Sequence, residues 1–161
     1  MDELIAALLR ALKGAGLAAV KAFPEGMMPR LAGSVTAVGI QEMKNTGGGA
    51  YTYLGMRADE AGVLRALYGR QLETEALLQI YCPRSLGGRA GMAESERVAA
   101  LLAGMAGGMQ IASFSVGPCS YDAVSDCFCC TITAKVRAYL YALANDDETE
   151  FTDFILKGEV K

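Results

Sequence analysis

The stretch CFCCTITAKVRAYLYA, residues 127–142, constrains the fold more than any other part of the chain. Read with a period of two, Phe128, Cys130, Ile132, Ala134, Val136, Ala138, Leu140 and Ala142 fall on one side. Cys127, Cys129, Thr131, Thr133, Lys135, Arg137, Tyr139 and Tyr141 fall on the other. One face is wholly apolar, and the other carries hydroxyls, two cations and tyrosines. That pattern belongs to a long strand, buried on one side and partly wet on the other. A helical period would scatter Lys135 and Arg137 among the apolar positions. The rest of the chain has to supply partner strands and a cover for the apolar face.

Two segments have the spacing of covering helices. Ile5, Leu8, Leu9 and Leu12 make one stripe behind Asp2 and Glu3, with Lys13 near the far end and Gly14 or Gly16 to stop it. Acids at the start and a cation at the end suit the helix dipole. Over residues 93–105, Glu94 and Glu96 precede Val98, Leu101, Leu102 and Met105, and Gly107 and Gly108 close the run.

Partner strands are expected over residues 34–44, 75–82 and 109–116, with a short apolar run at 17–23 as a further candidate. Pro24, Gly26 and Pro29 predict a loop around Met27 and Met28. Asn45, Thr46 and three glycines predict a turn, so residues 34–56 read as a β-hairpin. The same glycines resemble an anion loop, but no helix follows to aim its dipole at a phosphate. Residues 58–70 allow either a helical turn or an irregular link. Residues 84–92, RSLGGRAGM, read as the most flexible and basic segment, either a solvated connector or a contact loop that orders on assembly. Gly117 and Pro118 are expected to break the strand before a polar turn at 120–126. An acidic linker and apolar tail, residues 145–161, follow the long strand as its last partner or as a docking segment. The strand over 75–82, the helix and the strand over 109–116 could form a β-α-β unit, or the helix could simply span one face of the sheet. The fold class is a single α+β domain over residues 1–161, mainly antiparallel, with one or two helices packed on one face.

The chain contains no histidine. The Ser-His and Cys-His pairs of most nucleophilic hydrolases are thereby excluded, along with the commonest metal ligand. A phosphate-binding G-x-x-x-x-G-K-[ST] loop is also missing. Five cysteines behind an acidic start with no basic leader predict reduced thiols. Cys127, Cys129 and Cys130 lack paired C-x-x-C spacing, and strand geometry sends Cys130 to the opposite face from the other two. They read as small residues packed in a strand, with no cofactor or metal. A net charge of −3 gives no electrostatic case for nucleic-acid binding. The first helix falls short of the roughly 20 apolar residues of a membrane span. Low charge with 19 Gly and 8 Met points to surface covered by another subunit.

In order and texture these elements resemble the tail-terminator, or tail-completion, proteins of long-tailed phages and prophages. The resemblance lies in DELIAALLRALKGAG, the strand-turn-strand with its glycine-rich turn, EALLQIYCPRSLGGRAGMAESERVAALLAGM, the two later strands, and DFILKGEV. It implies a ring, typically a hexamer, that caps the tail tube and meets the head connector. The protein would then reside in the bacterial cytoplasm during assembly and afterwards in the virion tail. Its partners would be itself, the tube protein and the connector, with no membrane or sequence-specific nucleic acid and no catalysis. In such a ring Arg84 and Arg89 are candidates to pair with carboxylates of a neighbour, and Asp146, Asp147 and Glu148 are the acids to answer them.

Three other readings remain open. One is a tail-tube or other minor tail protein, which would polymerise where a terminator stops at one ring. Another is an unrelated homo-oligomeric adaptor. The third is a small cysteine-dependent enzyme or ligand-binding protein with Cys82 or Cys119 as nucleophile, its base a carboxylate or lysine for want of histidine.

Overall fold

The computed structural model describes residues 2–22, 30–58, 62–104, 110–143 and 155–157. The elements are α1 (Asp2–Gly14), β1 (Ala19–Lys21), β2 (Val35–Ala58), β3 (Leu64–Pro83), α2 (Gly88–Gly104), β4 (Gln110–Asp122), β5 (Cys127–Leu143) and β6 (Ile155–Lys157). A 3-10 turn, Arg84–Leu86, joins β3 to α2. The six strands form one sheet in the order β1-β2-β3-β5-β4, with β6 on β5. Among the described residues only the short β1–β2 pair is parallel; the other pairs are antiparallel. This is the α+β class the sequence implies.

Helix α1 forms where the apolar stripe is, burying Leu4, Ile5, Leu8 and Leu12. It ends at Gly14 and is capped at Gly16, whose φ of +75° favours glycine. Gly16 N–H donates to the Lys13 carbonyl and Leu17 N–H to that of Leu12. This cap satisfies the last carbonyls while Leu17 packs back into the core.

Strand β5 has the alternation that its sequence dictates. Cys130, Ile132, Ala134 and Val136 are buried, while Lys135 and Arg137 are exposed. Strand β3 runs beside it without a register shift, from Leu67 opposite Leu143 to Pro83 opposite Cys127. Its even-numbered residues therefore share the apolar face. Val38 lies opposite Leu78, and Leu78 opposite Ile132. These residues join one buried cluster with Leu4, Ile5, Leu8 and Leu12 of α1 and Val98 and Leu102 of α2. Thr36 and Thr74 are buried too, and neither hydroxyl has a hydrogen-bond partner among the described residues.

Several sequence expectations are corrected. There is no hairpin over residues 34–56. The glycine run is instead a wide bulge, where β2 advances from Gly47 to Thr52 while β3 covers only Gln71 to Gly69. Glycines absorb those extra residues, and β2 keeps its ladder partner instead of reversing. The reversal lies between Ala58 and Leu64, which face each other. From Leu64 onward, residues 58–70 belong to β3, neither helical nor irregular.

Residues 84–92 are not a loop. The 3-10 turn and the start of α2 occupy them, and the glycines serve close packing. A β-carbon at Gly88 would stand 3.2 Å from the Phe128 ring. Strand β4 does not stop at Gly117 and Pro118; it crosses them in a bulge and continues to Asp122. The turn at 120–126 narrows to residues 123–126. Nor are the thiols all reduced, because Cys119 and Cys130 are joined as a disulfide.

The β-α-β expectation holds in modified form. Strands β3 and β4 are both antiparallel to β5, so they run parallel with β5 between them. The loop around Met27 and Met28, the helix stop at Gly107 and Gly108, and Asp146, Asp147 and Glu148 lie outside the described residues. Of the tail, Ile155–Lys157 pairs with Tyr139–Tyr141 on the same side of β5 as β4. No helix among the described residues is long and apolar enough to cross a membrane.

Candidate functional site

At one end of the sheet, β3 stops at Pro83 and the chain turns over the β4–β5 reversal. Arg84 N–H donates to the Asp126 carbonyl at 3.2 Å. The Arg84 guanidinium lies 4.0 Å from Asp126 Oδ1 and 5.8 Å from the Tyr121 ring centroid. Tyr121 donates its hydroxyl to the same Asp126 oxygen at 2.5 Å, which holds the phenol above its ordinary pKa. Asp126 itself takes φ +51°. Beside it, Asp122 accepts hydrogen bonds from the Ser125 hydroxyl at 2.6 Å and from the backbone N–H groups of Ser125 and Val124. Those donors, the hydroxyl foremost, lower the Asp122 pKa and fix the turn.

Of the two arginines singled out from sequence, Arg84 thus has a local acid, Asp126, which sequence reasoning missed. The signal was available: Asp126 ends the polar turn and Pro83 ends the strand opposite it. Both side chains are about 70% exposed, 71% and 68%, so the pair contributes at most about 1 kcal/mol and leaves Arg84 available to a partner. Arg89 is exposed on the first turn of α2. The described residues place no acid against it.

The cysteines divide by face. Cys127 and Cys129 lie on the polar side near Ser125, whose hydroxyl is 3.7 Å from Cys129 Sγ. Burial raises both thiol pKa values, so both stay protonated and poorly nucleophilic near neutral pH. On the apolar side, Cys119 and Cys130 face each other across β4 and β5. Cys82, fully buried, completes a cluster beneath Gly91 of α2. Neither residue considered as a nucleophile is an accessible thiol in this state, since Cys82 is sealed and Cys119 is bonded.

At the other end, β2 and β3 run on as an arm, with β5 paired to β3 as far as Leu67. The buried cluster joined by the helices ends near Ile40 on β2 and Ala76 on β3. Pairing continues to Ala58 and Leu64, roughly 40 Å farther at ~3.4 Å per residue. By β3 parity the same face continues through buried Thr74 and Leu72 and exposed Arg70 to Tyr68, Ala66 and Leu64, with Tyr53 and Met56 opposite Tyr68 and Ala66, while Leu67 is buried on the opposite face. There Tyr53, Met56 and Leu64 are more than half exposed, at 56%, 51% and 63%.

Compared with known proteins, the chain matches no family model and no curated protein significantly.

Proposed function

We propose that this chain is a ring-forming structural subunit of a phage or prophage tail, acting as the terminator that joins the tail tube to the head connector. The observation that carries the reading is the arm. Both helices are read as lying over one face of the sheet, and toward the far end of the arm that face is exposed at Tyr53, Met56 and Leu64. Tyr53, Met56 and Leu64 then present an apolar strip that a neighbouring copy would cover. Symmetric rings form when one surface of each subunit seats on a different surface of the next. Arg84, over its exposed turn, and Arg89 are the cations offered to that neighbour or to the tube. The subunit works by fit, without catalysis or cofactor.

Replacing Met56 and Leu64 by Asp tests the reading. The expected result is loss of the ring with the fold retained, read by light scattering and circular dichroism. A ring of unchanged size would remove the arm from the interface. The same arm also suits a tail-tube protein, and open-ended polymers in place of one closed ring would select that reading.

A further inference from the structure

We propose that Cys119 and Cys130 form a reversible thiol–disulfide lock on the edge of the sheet, oxidised by low-molecular-weight disulfides of the glutathione type.

The lock sits where the ladder is broken. Register between β4 and β5 is lost after Val116, with Gly117 and Pro118 off the ladder, and it resumes at Cys119 opposite Cys130. Proline has no N–H to offer there. The last four pairs of β4, ending with Asp122 opposite Cys127, are therefore joined to the rest of an edge strand across a bulge. The disulfide spans the first of them. This short segment carries Tyr121 and leads through the turn to Asp126, the two side chains that face Arg84. The bond thus holds the platform on which Arg84 rests.

Gly91 of α2 packs directly over the pair: a β-carbon there would stand 3.1 Å from Cys119 Sγ and 3.6 Å from Cys130 Sγ. The fold does not depend on the bond, because the cysteines are only 11 residues apart across a hairpin already closed by its ladder. Cys119 is half-buried and Cys130 is 1% exposed, so Cys119 meets the oxidant first. Its thiolate attacks one sulfur of the small disulfide and expels a thiolate, leaving a mixed disulfide on Cys119. The Cys130 thiolate then attacks the Cys119 sulfur and expels the second thiolate. The two protons lost by the cysteines go to the two departing thiolates. The protein gives up two electrons and the small disulfide takes them.

The test equilibrates the full chain in glutathione buffers from fully reduced to fully oxidised, followed by thiol alkylation under denaturing conditions, peptide mapping and amide exchange. The expected result is a fall from five alkylated cysteines to three, with a cross-linked Cys119–Cys130 peptide. Amide exchange over residues 84–90 and 119–126 should slow at least threefold on oxidation. Cys119→Ser should keep the fold and exchange like the reduced protein in every buffer, and Cys82→Ala should behave as the parent. Five free thiols at every poise, or a cross-link through Cys82, would overturn the assignment. A bond that forms while exchange at both segments stays unchanged would overturn the lock.

Discussion

Gly91 of α2 lies so close to Cys119 of β4 that a β-carbon on the glycine would stand 3.1 Å from the cysteine sulfur and 3.3 Å from the Cys82 β-carbon. Two effects of opposite sign meet in Gly91→Ala. Alanine favours the helix by about 1 kcal/mol over glycine. Overpacking a tight contact costs about 1–3 kcal/mol. Because the neighbours are a bonded sulfur and a buried side chain, packing should dominate. Urea unfolding is expected to show a net loss of up to about 2 kcal/mol. A gain of about 1 kcal/mol would mean that α2 does not seat on the sulfurs as described.

Thr74 stands opposite Val136 in the core, and its hydroxyl has no hydrogen-bond partner among the described residues. An unsatisfied buried polar group costs about 1–3 kcal/mol, and valine has nearly the same shape. Thr74→Val should therefore raise stability by about 1 kcal/mol in denaturant melts. A loss would indicate a hydrogen bond to that hydroxyl.

The turn responds to acid through Asp122. Its folded pKa lies below the ordinary carboxylate value because the Ser125 hydroxyl and two backbone donors hold the charged form. A depressed carboxylate contributes above its ordinary value, and the contribution is lost as pH falls through the folded value. Amide protection at Val124 and Ser125 is expected to be constant above about pH 5 and to fall below about pH 4. Ser125→Ala should move that midpoint upward. A profile unchanged by Ser125→Ala would show that the hydroxyl does not hold the carboxylate.

Arg84→Glu separates the local contact from the proposed partner contact. Exposed ion pairs contribute at most about 1 kcal/mol, so monomer stability should change by less than that. Assembly or tube joining should weaken much more. Equal small effects on both would confine Arg84 to its own turn.

How much was legible in the sequence depended on whether the signal was local. The two-residue period of β5 and the stripes of α1 and α2 are set by burial along a single element, and they read correctly. Glycine is ambiguous in a way no local reading resolves. Gly47 to Gly49 have turn composition, yet β3 holds them in a bulge. Gly88 and Gly91 look like a flexible loop, yet they are where α2 meets Phe128 and Cys119. The disulfide was hidden for the same reason. Cys119 stands three residues before Asp122 and Cys130 three after Cys127, so their pairing follows once the turn is known to be residues 123–126. The break expected at Pro118 concealed that symmetry. The exposure of Tyr53, Met56 and Leu64 was equally out of reach, since it depends on tertiary packing.

The most direct test of the central claim is the solution mass by light scattering across a range of concentration and salt, with the Met56→Asp, Leu64→Asp variant alongside. The account expects a discrete assembly of six 16.9 kDa subunits for the parent and a monomer for the variant. A parent chain that stays monomeric at every concentration would contradict it.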